Sequence, residues 1–490
     1  MADTPQASPG FLDKFTVLKG AARELWLIFA VKLLVIAAYA VTNSTLVLWL
    51  TSELGYSDEQ ALGVVAVWSG MMTVVIVLVG SLTDALGLRR TFFLGVWICI
   101  VARAVMAFTH NKWLLLTGGL ALLAVGEALS APVSVAAIRR FSNTKQRSIS
   151  FSIFYVMMNL GFVISGYIFD YLRQHLGEHG ELMLLGVRLT TYQTLFLVSL
   201  GIEILLLPLL WFLREGAEAT DEGLKLVPRE ARHQQENIWN SLYLTVCDSL
   251  RETVRLFTML VRQAGFYRLL VFLVLIAFLK LIYTQMYYVY PEFGVRELGN
   301  GAPIGKLFWG INGIIVIFLT PLVGALTQRF SAYKMVTLGA IISSASVFIM
   351  ALPTAWFEPL AAGFVGRWLG HGYLGLQGAV HPYYVMIALF VVLLSIGEVF
   401  CSPRIYEYAA AIAPKGQEAS YSALSYVPFL LAKLLFGTFS GVLLATYCPK
   451  VGVRHSGTLW LIVALTVTVA PIGLIVLRKY ARIHEAGRED

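Results

Sequence analysis

Twelve stretches of about 20 apolar residues, each able to cross a bilayer core about 30 Å thick as a helix, constrain this chain more than any other feature. They run over 25–50, 61–83, 91–109, 113–138, 149–172, 192–213, 267–290, 307–327, 334–354, 383–412, 421–446 and 458–479. Backbone groups in hydrocarbon must hydrogen-bond within their own segment, so runs of this length are helices. A barrel would need alternating segments of about 10 residues, and the sequence has none. Water-soluble domains carry about 25% charged residues; here 13% are charged and 58% are hydrophobic, which excludes a soluble enzyme. The expected fold class is an all-α polytopic membrane protein.

The longest hydrophilic stretch, 214–266, lies between spans six and seven. It divides the chain into a segment 1–24, a first six-helix bundle 25–213, a linker 214–266, a second bundle 267–479 and a tail 480–490. Met1–Gly10 is polar and has no signal-peptide core, so no cleavage is expected there. Lys and Arg set orientation. With the N-terminus cytoplasmic, about 24 basic residues fall inside and roughly 8 outside, which places both termini in the cytoplasm. The net charge of +8 is thereby a membrane-orientation signal, and no nucleic-acid partner is expected. Within the linker, Trp239–Leu260 has the spacing of an amphipathic helix on the inner membrane surface, either as plain linker or as a regulatory element.

Two sequence pairs reveal an internal repeat. Gly80-Ser81-Leu82-Thr83-Asp84-Ala85-Leu86-Gly87-Leu88-Arg89-Arg90 after span two matches Gly324-Ala325-Leu326-Thr327-Gln328-Arg329 after span eight. Gly126-Glu127 with Pro132 in span four matches Gly397-Glu398 with Pro403 in span ten. The pairs are offset by about 244 and about 271 positions, and an extra loop at 355–381 reconciles them. Two parallel, pseudo-symmetric six-helix repeats place a solute site at mid-membrane between them.

The run Gly80…Arg90 resembles the loop 2–3 signature of the major facilitator superfamily, a resemblance that covers essentially the whole chain. It implies a conformational latch at Gly80, Asp84, Gly87, Arg89 and Arg90 on the cytoplasmic helix ends. Within that superfamily, Phe151-Ser152-Ile153-Phe154-Tyr155 followed by Asn159 and Gly161 is similar to the proton-coupled oligopeptide transporters. Asn312 before Pro321, and Glu398 before Ser402-Pro403, agree with it. The resemblance implies that Tyr39, Tyr155, Asn159 and Asn312 line a peptide site, with Glu398 facing the peptide's amino group. Three positions depart from the family. Lys32, Val35 and Ile36 stand where it has an E-x-x-E-R signature, Ala131 where it has lysine, and Thr284 before Gln285 where many members have an acid.

A charge at mid-bilayer costs about 2.5–3.5 kcal/mol, so it has a partner or faces water. The chain has Lys32, Arg103, Glu127, Glu203, Lys280, Glu398, Glu407 and Lys433 at such depths. Glu127 and Glu398 occupy equivalent repeat positions and are the candidates for proton coupling, with a structural salt bridge as the alternative. Lys32, Lys280 and Lys433 either bind a substrate anion or neutralise those acids, whereas Arg103 and Glu203 are expected to pair structurally. Tyr283 and Gln285 are expected to face a substrate, and Tyr290 to sit in the interfacial aromatic belt.

No nucleotide, hydrolase or metalloprotease motif appears, the histidines lie in loops and ends, and the four cysteines are scattered. The expectation is therefore no enzyme, no cofactor and no metal. His371 and His381, flanking the extra loop, are expected to be solvated. The function expected is a monomeric secondary transporter in a lipid bilayer. Protons and a small polar or zwitterionic solute, a peptide or peptide-like metabolite first, are its partners. An exporter of amphipathic compounds and a transport-inactive receptor or scaffold are the alternatives.

Overall fold

Apolar runs separated by short polar breaks fold locally first, and the breaks set the helix ends. The computed structural model describes residues 18–481 apart from 144–145, 185, 221–222, most of 227–260, 328–329 and 413–426. Its long helices are α1 (Arg23–Ser52), α2 (Asp58–Leu86), α3 (Leu88–Phe108), α4 (Lys112–Phe141), α5 (Arg147–Leu176), α6 (Thr191–Trp211), α7 (Ala264–Tyr288), α8 (Lys306–Gly324), α9 (Ala332–Ala351), α10 (Pro382–Ile412), α11 (Val427–Tyr447) and α12 (Ser456–Val476). Among the described residues, eleven are long and apolar enough to span a membrane, and α11 contributes a shorter apolar helix over Phe436–Tyr447. The chain is an integral, multi-pass membrane protein.

Local chemistry explains the boundaries. Gly87 enters α3 at φ +84°, a conformation that costs a residue without Cβ little. Thr190 starts α6 with a capping box, its hydroxyl accepting from the Gln193 amide while the Gln193 side chain accepts from the Thr190 amide. Pro208 lacks a donor for the carbonyl four residues back, and α6 breaks at Leu205 accordingly. Two hairpins sit outside the bundle: β1 (Glu181–Leu184) pairs antiparallel with β2 (Val187–Thr190), and β3 (Ala217–Thr220) with β4 (Gly223–Leu226). The segment read from sequence as an extra loop folds instead into short helices, Glu358–Ala362 and Phe364–Arg367, with a π-helical turn Trp368–Leu374. Trp356, Phe364 and Trp368 on it are exposed. A backbone this apolar satisfies itself by helical bonds rather than remaining open. The linker stretch Trp239–Leu260 lies largely outside the described residues.

Packing pairs recur between the halves. In the first, α1 packs on α5 and α6, α2 on α4, and α3 on α4 and α6. In the second, α7 packs on α11 and α12, α8 on α10, and α9 on α10 and α12. The tightest seam in each half is glycine on glycine. A Cβ at Gly126 would stand 2.6 Å from Cys99 Sγ and 3.0 Å from the Gly95 carbonyl. A Cβ at Gly397 would stand 2.8 Å from the Gly339 carbonyl and 2.7 Å from the Ser343 amide. Gly95 and Gly339, like Gly126 and Gly397, are the residues the two sequence offsets relate. Bare backbone is what lets these helices approach so closely.

The halves meet along α2 with α11 and α5 with α8, again over glycine. A Cβ at Gly437 would meet Ala66 at 2.6 Å, and one at Gly166 would meet the Gly305 carbonyl at 2.7 Å. Replacing Gly126 by Val is expected to cost about 1–3 kcal/mol by overpacking the α3–α4 seam. Gly201→Val, at a position with nothing within 4 Å of the added carbon, is the matched control. Thermal unfolding of the purified chain in detergent measures both.

Candidate functional site

Depth and neighbours decide what each intramembrane charge can do. Arg103 on α3 is fully buried and binds both Glu127 of α4 and Glu203 of α6, the latter at 3.1 Å. Its Nε donates to Ser199 Oγ at 2.5 Å, and Ser199 in turn lies 2.9 Å from the Thr42 hydroxyl of α1. One guanidinium thus faces two carboxylates. Lys32 of α1 is within electrostatic reach of Glu127, and its ammonium stands 4.6 Å over the Phe154 ring. Glu127 therefore sits between Arg103 and Lys32 as part of a buried ionic cluster.

Glu398 has different company. It accepts from Tyr155 at 3.1 Å and from Asn312 at 2.9 Å, and Asn312 also donates to Ser395 at 3.0 Å. Tyr155 belongs to the first half and Asn312 and Glu398 to the second, so this contact joins the halves at mid-depth. The residue corresponding to Arg103 in the second half is Val347, fully buried against neighbours. The repeat thus places equivalent acids on α4 and α10 but gives only the first a guanidinium. Asn159 spends its amide on the Tyr155 carbonyl at 2.9 Å and lies at the α5–α8 crossing, where a Cβ at Gly313 would come within 3.1 Å of its carbonyl.

Around α7 the aromatic residues join both halves. Trp309 of α8 lies 4.5 Å from Tyr287 and stacks on Phe162 of α5 at 5.1 Å, centroid to centroid. The Lys280 ammonium stands 4.8 Å over the Tyr283 ring, and the Tyr283 hydroxyl lies within electrostatic reach of Glu398. Gln285 donates to Ser440 of α11 and so fastens α7 to α11. Lys433 of α11 lies 5.6 Å from the Tyr288 ring and 6.0 Å from the Trp68 ring of α2, within electrostatic reach of Tyr39. Tyr288 donates to Asn43 Oδ1 at 2.9 Å, and Asn43 donates to the Tyr39 carbonyl at 2.9 Å.

The end of the bundle reached by α1, here called the distal end, is tied between the halves. Asp58 at the start of α2 holds Arg296 of the short helix Tyr290–Leu298 by two bonds of 2.6 and 2.9 Å. Arg296 also binds Glu292, which accepts from Thr51 of α1. Asp170 near the end of α5 accepts from the Gly305 amide at 2.8 Å and the Lys306 amide at 2.5 Å. A carboxylate at that helix start matches the helix dipole. Arg173 binds Glu178 and the Ala302 carbonyl, the latter at 3.2 Å. Burial pushes the Glu178 carboxyl up, but Arg173, the Gly301 amide and Tyr192 outweigh it and hold the group below its usual range. A lowered folded-state pKa means that this tie is present at neutral pH and is lost only as pH falls through that lowered value.

At the opposite end, Arg89 donates to the Trp211 carbonyl at 3.1 Å and lies over Phe93 and Trp211, while Arg90 pairs with Glu215 at 3.0 Å. The basic pair of the loop motif thus grips the end of α6. The side chain of Asp84 and those of 77–85 around it, Gly80 included, lie outside the described residues, as do Gln328, Arg329 and the Glu407 side chain.

One sequence expectation changes. Tyr290 is buried and donates to the Ile304 carbonyl at 3.0 Å where the chain turns into the short helix Tyr290–Leu298, rather than standing in an interfacial belt. Sequence reading missed the distal ties and Trp68. The i,i+4 pair Glu292–Arg296 and the i,i+3 pair Asp170–Arg173 were the available signals; an indole among apolar residues offers none.

A sequence model described as Major Facilitator Superfamily matches residues 28–379. A solved POT family transporter in complex with a thioalcohol-conjugated peptide superposes with a TM-score of 0.70 at 15% identity, covering 94% of this chain and 97% of that one. A POT family transporter in complex with 5-aminolevulinic acid gives 0.69 at 15% identity, over 96% and 97%. At such identity the likeness speaks for the fold. Dipeptide and tripeptide permease A of Proteus mirabilis is 27% identical over 146 residues, 29% of this chain and 30% of that relative. The methyl viologen resistance protein SmvA of Salmonella typhimurium is 29% identical over 133 residues, 26% of each. The matched stretches thus span less than a third of either relative.

Two outcomes are expected from these contacts. Arg103→Met strands two buried carboxylates and is expected to destabilise the chain by about 3–5 kcal/mol, with Glu203→Gln far milder; thermal unfolding reads the difference. Asp58→Asn weakens the tie to Arg296, and spin labels placed at Ser57 and Gly299 are expected to show longer distal distances by pulsed electron resonance.

Proposed function

The chain belongs to the Major Facilitator Superfamily, and from that premise we propose a proton-coupled secondary transporter for a small zwitterionic solute, a short peptide or peptide-like metabolite first. The solute passes by alternating access between the two six-helix halves, with both termini cytoplasmic and the distal end facing outward. The observation that carries this reading is the placement of Glu398. It is a mid-membrane carboxylate held between the halves by the neutral donors Tyr155 and Asn312. A substrate ammonium competes for such a carboxylate directly. Protonation removes the charge that Tyr155 and Asn312 solvate, which loosens the joint between the halves.

The remaining groups take roles that follow from their neighbours. Lys433, Lys280 and Lys32 supply positive charge to the solute's acidic end or neutralise the buried acids. Tyr39, Tyr283 and Asn159 line the passage. Glu127, already compensated by Arg103, is the second coupling candidate; a solute anion that draws Lys32 away leaves the two carboxylates of the cluster with one guanidinium, and proton uptake restores the balance. The distal ties close the outward side, so the solute enters or leaves this conformation from the cytoplasmic side. The likeness to peptide permeases and peptide-transporter folds supports the substrate class. A second reading, export of amphipathic cations, is favoured by the Phe162–Trp309–Tyr287 aromatic wall and the likeness to a methyl viologen resistance protein.

Proteoliposomes supplied with alanylalanine and an imposed pH gradient test the reading. Glu398→Gln is expected to cut accumulation by about tenfold or more, the cost of a lost charge-assisted hydrogen bond. Should Glu398→Gln and Glu127→Gln both leave gradient-driven accumulation intact, the coupling proposal is wrong.

A further inference from the structure

Beside the Glu398 site the structure holds a second group of polar atoms whose bonding is incomplete. Trp68 of α2 is 2% exposed, and its indole N–H has no acceptor among the described residues. A buried donor left unpaired costs about 1–3 kcal/mol, so a structure that keeps one calls for an explanation. The Lys433 ammonium stands 6.0 Å from the centre of that ring and 5.6 Å from Tyr288. The groups that act on its charge are the Tyr39 and Tyr288 hydroxyls, and no carboxylate stands among its ion pairs in the described residues. The two ring faces stabilise the cation.

Tyr288 gives its proton to Asn43 Oδ1, so toward Lys433 it can only accept. Asn43 gives one of its two amide N–H groups to the Tyr39 carbonyl. Two groups can donate to a ligand across the halves: the Lys433 ammonium of α11 and, at the edge of the ring it stands over, the indole N–H of Trp68 of α2. We propose that Lys433 and Trp68 form the anion end of the solute site and take the solute's carboxylate between the ammonium and the indole N–H. A carboxylate fits this pair: it carries one negative charge and two acceptor oxygens, one for each donor, in hydrogen bonds of about 2.8–3.0 Å. A phosphate dianion would lack its second positive charge. The carboxylate also joins α2 to α11, so the anion end, like Glu398, spans both halves. Trp68 thereby reads the acidic end, and the pair selects a free C-terminal acid over its amide.

The inference rests on the zwitterion reading, and the probes separate the two. Binding of alanylalanine, alanylalanine amide and N-acetyl-alanylalanine to the full chain in lipid nanodiscs is measured by calorimetry. Wild type is expected to prefer the acid over the amide by about tenfold or more. Trp68→Phe keeps the ring but deletes the N–H, and is expected to shrink that preference severalfold while leaving the penalty for N-acetylation unchanged. Lys433→Met is expected to abolish the preference, and Glu398→Gln to remove only the acetylation penalty. If wild type discriminates against the acetylated peptide but binds acid and amide alike, the subsite falls and the zwitterion reading stands. If Trp68→Phe binds with an undiminished preference for the acid, Trp68 has no part in it and the proposal is overturned. Should no peptide bind, the zwitterion reading falls, and acetate against acetamide decides the subsite by thermal shift. Stabilisation by acetate that Trp68→Phe loses upholds it, and equal shifts in both proteins overturn it.

Discussion

An ionised side chain in a medium that cannot hydrate it must find opposite charge or hydrogen-bond donors inside the protein. That requirement organises this molecule from one membrane face to the other. Arg103 is tolerable at mid-depth because Glu127, Glu203 and Ser199 surround its guanidinium. Glu398 is tolerable because Tyr155 and Asn312 aim donors at it. Lys433 is held by ring faces and hydroxyls. The three solutions differ in how firmly they bind. A guanidinium between two carboxylates is saturated, a carboxylate with neutral donors can exchange them for an ammonium, and a cation over aromatic rings remains open to an anion.

Movement is written into the packing in the same way. Within each half, glycine seams bring α3 onto α4 and α9 onto α10 at backbone distance, so each half behaves as one body. Between the halves the packing is of the same kind, but it is fastened differently. Along α2–α11 and α5–α8 glycine again meets backbone, as Gly305 meets Gly166 and Gly441 meets Glu59. Smooth surfaces of this sort can separate without disentangling side chains. The bonds that hold them shut are charged and directional: Asp58 to Arg296, and Asp170 to the first amides of α8. A helix start capped by the opposite half is a joint that rocking undoes and remakes at little covalent cost.

How much of this was legible beforehand depended on the range of each signal. The apolar runs placed the long helices among the described residues to within a few residues, since hydrophobic length is a local property. The two repeat offsets, read from Gly126-Glu127 and Gly397-Glu398, reappear as matching glycine contacts because close backbone approach needs glycine at both places. Tyr290 was misread because a short helix follows α7, and nothing in the apolar run announces where the chain turns. Gln285 meets Ser440, 155 residues away, a pairing that no local pattern announces. The segment 355–381 read as a loop because its helices are too short to produce a periodic pattern.

The amino-acid order by itself determined the rough limits of the long apolar helices, the paired Gly-Glu positions on α4 and α10, and which charges had to be dealt with among apolar residues. Each of these follows from free energies that accrue residue by residue along the chain. Only the tertiary structure decided which acid meets which base. That Glu127 is bound by Arg103 while its counterpart Glu398 is left to a tyrosine and an asparagine turns on what stands one helix away, where one half has an arginine and the other Val347. Electrostatic compensation acts through space over a few ångströms, and sequence separation carries no record of that distance.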